Sequence, residues 1–187
     1  MYFFTADEHY SHTNIIKYCK RPFINSKEMD REIIKNHNSI ISKDDIVVHG
    51  GDFTLKSIDF ALSIIEKLNG KHIFIKGSHD AWLNKFSDFY VSNKISKALL
   101  NKIEDFGNYM WERKIQSNYI TVCHYAGRVW SRSHHGSIQL YGHSHGQLMP
   151  LKNQYDIGVD NNRFFPVSLN EIKKLLNIND DRNLYNL

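Results

Sequence analysis

Short apolar segments that stop abruptly at aspartate or histidine are the feature that most constrains this chain. The clusters that follow these segments are Asp7-Glu8-His9, Gly51-Asp52, Gly77-Ser78-His79-Asp80, Cys123-His124 and Gly142-His143-Ser144-His145. In α/β sheets the strand ends lie along one edge, where ligand sites are commonly built. We therefore expect these clusters to meet in one pocket. So many carboxylates and imidazoles exceed what a protein core tolerates without a cation.

Two of the clusters place ligand-type side chains two residues apart. In an extended chain Asp7 and His9 point to the same side, and so do His143 and His145, so each pair can bind one metal ion. Carboxylate and imidazole ligands without thiolate favour manganese, iron or zinc. Asp52 could bridge two such ions through its two oxygens, which is how two-metal sites that act on phosphoryl groups are arranged.

The cluster after the third predicted strand supplies a candidate proton donor. His79 follows a glycine turn and lies beside Asp80. An imidazole held by a carboxylate is suited to protonate a leaving-group oxygen. The sequence therefore predicts a catalytic group of His79, Asp52 and Asp80.

The order of periodic segments predicts a mixed α/β fold. Strands are expected at 2–5, 46–48, 72–76, 109–115, 119–123, 138–141 and 154–159, and helices at 13–19, 26–41, 57–68 and 169–176. The stretch 81–107 is expected to be helix or loop. The 187 residues suffice for one domain, 1–187, with a core. The polar tail 176–187 is expected to fray.

Charge and hydropathy exclude several classes of protein. The formal net charge is +4, which suits an anionic substrate, but no dense run of Lys and Arg marks a nucleic-acid surface. No apolar run approaches the roughly 18 residues of a membrane span. The first residues lack the basic and apolar regions of a signal peptide. These features predict a cytoplasmic protein without a membrane partner.

Taken together, the motifs resemble those of the calcineurin-like metallophosphoesterases from about residue 2 to residue 166. Several segments are similar to those of a group of small, single-domain bacterial and phage phosphoesterases. They lie around His12, Arg21-Pro22-Phe23, Tyr125 and Gly158-Val159-Asp160. The resemblance implies a two-sheet β-sandwich flanked by helices, with metal ions at the strand ends. Relatives in this group are often dimers, so a homodimer is one expectation.

The resemblance also implies a role for each motif residue. The first ion would be held by Asp7, His9, Asp52 and His145, and the second by Asp52, residue 78, His124 and His143. His79 would contact the phosphate or protonate the leaving group. Two divalent ions are expected, with manganese first and iron, zinc or nickel as alternatives.

One position departs from the family pattern. Ser78 stands where the family has asparagine, whose amide oxygen ligates the second ion. Serine is shorter and its neutral hydroxyl is a poorer ligand. A water could fill the gap, the second site could be weakened, or the substitution could have been introduced to trap an inactive form. Lowered activity with an intact fold is expected.

The leading hypothesis is a metal-dependent phosphoester hydrolase that works by metal-activated hydroxide attack on phosphorus. A phosphodiesterase acting on a nucleotide or small phosphodiester is favoured, because a rim with Arg128 and Trp130 could hold a base or sugar. One alternative is a non-catalytic or inactivated module that binds metal or nucleotide. Another is a phosphatase that processes nucleic-acid ends, which the mild basicity permits.

Several residues near the motifs have less specific signals. His12, Asn14 and Arg128 are predicted to bind substrate, although His12 and Asn14 could instead cap a helix and Arg128 could simply be solvated. His49 is expected near the site or in a structural role. His37 and His72 are expected to be ordinary surface or strand residues.

Overall fold

The computed structural model describes residues 1–86 and 95–178. Its strands are β1 (Tyr2–Thr5), β2 (Ile46–His49), β3 (Lys71–Ile75), β4 (Ile103–Asn108), β5 (Met110–Ile115), β6 (Asn118–Cys123), β7 (Ile138–Tyr141), β8 (Gln154–Asp156) and β9 (Val167–Ser168). Its α-helices are α1 (Thr13–Tyr18), α2 (Ser26–Ile40), α3 (Ile58–Lys67), α4 (Lys97–Leu100) and α5 (Leu169–Leu175), and short 3-10 helices span Ala81–Lys85 and Ser133–His135.

The strands form two sheets. The first has the order β4-β3-β2-β1-β9, in which β1 to β4 are parallel and β9 is antiparallel to β1. The second has the order β5-β6-β7-β8, in which the β5–β6 hairpin is antiparallel and β6, β7 and β8 are parallel. Parallel neighbours end at the same edge of a sheet, so each sheet gathers the loops that follow its strands.

Side-chain alternation along the strands creates a core on each face of the first sheet. Phe4 and Val48 face the second sheet and pack in one cluster with Val122 and Leu140. Phe74 faces the opposite way and packs with residues of α2 and α3. Full burial of each such side chain contributes about 1.5–3 kcal/mol. The predicted class, a two-sheet arrangement flanked by helices, is confirmed.

Three of the longer helices begin where a side chain accepts a hydrogen bond from a free backbone N–H group. The cap of α2 is Asn25, whose side chain accepts from Glu28 N. Ser57 and Ser168 cap α3 and α5 in the same way. None of the helices in the described ranges has the length and apolar character needed to cross a bilayer.

The stretch 81–107 was predicted to be mostly helix or loop, and its end contains a strand that the sequence did not predict, because β4 occupies Ile103–Asn108. Residues 87–94 of that stretch lie outside the described residues. The strand is hard to recognise because it is a sheet edge with mixed polarity, and its pairing with β3 shifts register twice. The single domain stays a prediction, as does the frayed tail, of which 179–187 are not described.

His37 and His72 were expected to be ordinary surface or strand residues; His72 does lie in β3, but neither residue is at the surface. Their exposed fractions are 2% and 0%, and both lie beside the equally buried His49. The rings of His37 and His72 stack with centroids 5.7 Å apart, and His37 Nε2 donates to the Asn69 carbonyl at 2.9 Å. The chain therefore buries a histidine cluster on the helix-covered side of the first sheet.

The burial of His37 predicts acid-sensitive stability. Burial lowers the pKa of His37 from 6.5 to about 4; the Asn69 carbonyl opposes the shift, and His49 and Lys102 add to it. Between these pH values the unfolded chain binds a proton that the folded chain does not, so the free energy of unfolding falls as the pH falls. The full effect is about 3 kcal/mol, at about 1.36 kcal/mol per pKa unit.

Urea denaturation of the wild-type protein and of His37→Gln at pH 7 and pH 4.5 measures this contribution. The glutamine retains an N–H donor but does not titrate, so the variant should lose less stability than the wild type on acidification. Equal losses would contradict the assignment to His37.

Candidate metal centre

The loops that follow five strands bring the predicted ligand residues together. The Asp7–His9 segment follows β1, Asp52 follows β2, His124 follows β6, and the His143–His145 segment follows β7. The loop after β3 carries residues 78–80 to the same place. Both sheets therefore contribute to one site, as the sequence predicted from the clusters at strand ends.

The backbone at this site is strained at the ligand positions. A positive φ is uncommon for any residue other than glycine and costs of order 1–3 kcal/mol. The residues concerned are Asp7 (φ 58°), His9 (51°), Asp52 (60°), His143 (64°) and His145 (49°). Such strain concentrates where a required side-chain geometry overrides the backbone preference.

One group of potential ligand atoms comes from Asp7, His9 and His145, which lie within 4.8 Å of one another. Asp7 is 0% exposed and His9 is 2% exposed. Both oxygens of Asp7 accept from His143 N, at 3.0 and 2.8 Å, which ties the β1 loop to the β7 loop. Glycine is needed at 142 because an added Cβ would lie 2.7 Å from Asp7 Oδ2.

A second group consists of Asp52, His124 and His143, again with ligand atoms within 4.8 Å. Asp52 Oδ2 lies 3.3 Å from His124 Nε2 and 3.7 Å from His9 Nε2. The Asp52 carboxylate therefore lies between the two groups. Each group can hold a metal ion, and Asp52 is placed where it contacts both.

The first group is poorly satisfied by protein atoms alone. Burial raises the pKa of the Asp7 carboxyl to about 7, although His145 and His124 act in the opposite direction. Burial lowers the pKa of His9 to about 3, against the effect of Asp52. Both ring nitrogens of His9 are buried without a hydrogen-bond partner. A buried carboxylate beside an imidazole with free lone pairs fits a divalent cation.

Asp52 and His124 stabilise each other's charged forms. Burial opposes ionisation of Asp52, but the nearby His124 ring outweighs burial and holds the pKa of Asp52 below its usual range. In the same way, burial opposes protonation of His124, and Asp52 outweighs it and raises the pKa of His124. Within the second group, Asp52 and His124 therefore favour opposite charges, whereas burial and the neighbouring His124 lower the pKa of His143.

Ser78 and His79 lie on the exposed side of Asp52. Ser78 Oγ donates to Asp52 Oδ2 at 3.0 Å, and the His79 backbone N–H donates to Asp52 Oδ1 at 2.8 Å. His79 Nε2 is 4.0 Å from Asp52 Oδ2, and its side chain is 44% exposed. A substrate can therefore reach His79, whereas Ser78 is engaged with the carboxylate.

Asp80 does not hold the His79 imidazole, and the prediction that it does is wrong. Its Oδ1 accepts from Phe53 N and Trp82 Nε1, and its Oδ2 accepts from Asp52 N and Gly77 N, at 2.6–3.0 Å. Asp80 thus fixes the backbone that carries Asp52. An added Cβ at Gly77 would overlap Asp52, so the two loops are packed directly against each other.

Sequence reasoning missed an ion pair that supports the first group. The buried Arg21 guanidinium donates to both oxygens of Asp160, at 2.8 and 2.7 Å. Asp160 Oδ2 in turn lies 2.7 Å from His145 Nδ1. Arg21 also donates to the carbonyls of Asp7 and Glu8, at 2.7 and 3.0 Å. This pair orients the His145 ring and holds the β1 loop.

Cys19, His145 and Asp160 form a third group whose potential ligand atoms lie within 4.8 Å. Arg21 already neutralises Asp160, and burial raises the pKa of the Cys19 thiol to about 11, which opposes the formation of a thiolate ligand. We therefore assign this group to the orientation of His145 rather than to a cation.

The predicted substrate-binding residues lie at different distances from the centre. The His12 ring is 5.3 Å from the His9 ring and 6.4 Å from the His79 ring, which places it at the border of the site. It occupies the cap position of α1 without a side-chain capping bond. Asn14 is exposed on α1, and Arg128 is exposed in the loop after β6. Substrate binding by these three residues stays a prediction.

Comparison with known proteins gives a sequence relative and a solved structure that each cover most of the chain. An uncharacterized protein of Methanocaldococcus jannaschii is 29% identical over 180 residues, which cover 91% of this chain and 88% of the relative. A crystal structure of a protein of unknown function from Aquifex aeolicus matches with a TM-score of 0.70 and 22% identity, over 94% of this chain and 98% of that chain. At this identity the likeness establishes the fold alone.

No family model matches the chain. A mutant of Vps29 from Entamoeba histolytica is similar with a TM-score of 0.42 and 14% identity, over 84% of this chain and 72% of that chain. A likeness this weak decides neither fold nor function. The functional argument therefore rests on the geometry of the site.

The buried ion pair predicts that Asp160→Asn harms both stability and metal binding. The substitution leaves the Arg21 guanidinium buried without its counter-charge, which costs about 3–5 kcal/mol. It also removes the carboxylate behind the His145 imidazole, which lowers metal affinity about 10–100-fold. Urea denaturation in EDTA and calorimetric titration with Mn²⁺ measure the two effects.

The exposed Asp44 provides a control with the same change of charge. Asp44→Asn should leave both quantities near their wild-type values. If the two variants are equally stable and bind Mn²⁺ equally well, Asp160 does not have this role.

Proposed function

We propose that this protein is a metal-dependent phosphoester hydrolase of the calcineurin-like type, with two divalent ions bound by the two ligand groups. The observation that carries the proposal is the position of Asp52, whose Oδ2 lies within 3.7 Å of an imidazole nitrogen from each group. Two adjacent groups with a shared carboxylate are the arrangement needed for a pair of ions about 3.5–4 Å apart.

The chemistry of the donor atoms supports manganese as the first candidate ion. The two groups together offer two carboxylates and four imidazoles, and neither contains a thiolate. Such ligands suit manganese, and also iron, zinc or nickel. When bound, a divalent pair supplies a nucleophile from water at neutral pH and offsets the negative charge of a phosphoryl group.

The side chains of this chain would orient the substrate and transfer a proton. His79 is the exposed imidazole nearest Asp52 in the β3 loop, so its Nε2 can reach a leaving-group oxygen and donate a proton there. His12 borders the same opening and would contact the bound ester. Asp80 would act only through the backbone, by fixing the loop that carries Asp52.

A phosphodiester, such as a nucleotide or small diester, is the favoured substrate class. The loop after β6 carries Arg128, whose guanidinium could pair with a phosphate, and Trp130. Trp130 is half-buried, and its Nε1 donates to the Ser137 carbonyl at 3.2 Å. This bond attaches the loop to the residue that precedes β7. The nearby Arg128 is exposed, so its guanidinium could contact the phosphate of a bound diester.

Hydrolysis of bis(4-nitrophenyl) phosphate and 4-nitrophenyl phosphate with Mn²⁺ tests the proposal. The wild-type protein should cleave the diester faster and lose activity in EDTA. Asp52→Asn should lower the rate at least about 100-fold, because removing the shared carboxylate removes several kcal/mol of charge stabilisation. Faster monoester cleavage would contradict the diester preference. A metal-loaded protein that cleaves neither compound would instead be a binding module.

Position 78 gives a second prediction about the same site. Ser78→Asn should raise turnover or Mn²⁺ content, because an amide oxygen is a better ligand than a hydroxyl that is engaged with Asp52. Ser78→Ala is the matched control, since it removes the hydroxyl without adding an amide, and it should show no gain. If Ser78→Asn also shows no gain in either quantity, the second site is not limited by this residue.

A further inference from the structure

A buried chain of polar side chains runs behind the candidate metal centre. Glu8, which is 1% exposed, places its Oε1 2.6 Å from His49 Nδ1. His49 Nε2 lies 3.0 Å from His72 Nδ1, and these two histidines are 1% and 0% exposed. The proposed chemistry uses none of these three side chains, yet burying a carboxylate and two imidazoles is costly.

The first bond of this chain has a fixed direction. A carboxylate accepts, so His49 Nδ1 donates to Glu8 Oε1. Of His49 Nε2 and His72 Nδ1, one donates to the other. Among the described residues, His72 Nε2 is buried without a hydrogen-bond partner. Burial, together with the neighbouring His49 and His37, keeps the pKa of His72 well below 6.5.

The Glu8–His49 bond joins the two backbone segments that carry the shared centre. Glu8 lies between Asp7 and His9, which belong to the first ligand group. His49 is the last residue of β2 and lies three residues before Asp52. The distance between the two ligand groups therefore depends on contacts between these segments.

The ligand segments need such contacts because their backbones are strained. Asp7, His9 and Asp52 all have positive φ. Backbone bonds from Asp7 N to Gly51 O and from His9 N to Asp52 O, both 3.0 Å, hold the segments together. Arg21 binds the backbone carbonyls of Asp7 and Glu8, whereas the Glu8 side chain binds His49.

We propose that Glu8 and His49 are positioning residues that hold the first ligand segment against the second and so set the affinity for metal. This inference rests on the proposed function only in taking Asp7, His9 and Asp52 as ligands. Glu8 and His49 act through the backbone and touch neither metal nor substrate.

Calorimetric titration of the full-length, metal-free protein with Mn²⁺ alone tests the inference. Glu8→Ala removes the acceptor, and His49→Phe removes the donor while keeping a ring that packs on Phe74, whose ring centroid is 4.6 Å from that of His49. Both variants should bind Mn²⁺ about 10–100-fold more weakly, as for other outer partners of metal ligands. Glu8→Gln keeps an oxygen acceptor and should recover most of the affinity.

His37→Gln is the matched control, because it alters the same buried cluster without touching the Glu8–His49 bond. It should bind Mn²⁺ as the wild type does, even if it is less stable. Circular dichroism and thermal unfolding in EDTA identify which variants are folded. If Glu8→Ala does not fold, His49→Phe and Glu8→Gln carry the comparison.

The outcomes separate this inference from the proposed function. If the wild type binds Mn²⁺ and folded Glu8→Ala or His49→Phe binds it with the same affinity, the positioning role is overturned. The proposed metal centre is then unaffected. Absence of Mn²⁺ binding by the wild type would overturn both. Weaker binding in Glu8→Ala and His49→Phe, together with near wild-type binding in Glu8→Gln, would support the inference. A general loss of stability would not depend on whether residue 8 keeps an acceptor oxygen.

Discussion

The carboxylate of Asp52 is the constraint on which the arrangement of the site depends. One oxygen contacts imidazoles from both ligand groups, and the other accepts the His79 backbone N–H. His124 follows a strand of the second sheet and His9 follows a strand of the first. The relative position of the two sheets therefore sets the distances from the Asp52 carboxylate to both imidazoles. Asp80 and the Gly77 turn keep that carboxylate in place. The site therefore depends on the packing of the two sheets.

Much of this arrangement could be predicted because the relevant signals are local. A short apolar strand followed by Asp or His can be recognised from a few consecutive residues. In extended chain, side chains two residues apart point to the same side. The spacing pairs Asp7 with His9, as the structure does, but it also pairs His143 with His145, which the structure divides between the two groups. The grouping of His145 with Asp7 and His9 was implied by the family resemblance. The mixed α/β class followed from the order of helices and strands, whereas the two-sheet arrangement was implied by the family resemblance.

The supporting contacts could not be predicted in this way because they join residues far apart in the chain. Arg21 and Asp160 are separated by 139 positions, and although both stand in segments that carry the family resemblance, nothing local pairs one with the other. His72 reads as an ordinary strand residue until β2 places His49 beside it. Asp80 was assigned to its sequence neighbour His79, whereas tertiary structure directs it to the backbone of the Asp52 loop. Local proximity was a poor guide in that case.

The positive φ angles at the ligand positions have a consequence for how this protein can change. Residues such as His143 and His145 occupy conformations that glycine or asparagine would adopt at lower cost. Selection for stability alone would therefore favour replacing the very side chains that form the centre. A lineage that did not use the candidate metal centre could gain stability by replacing these side chains, so stability and the proposed metal binding are opposed at these positions.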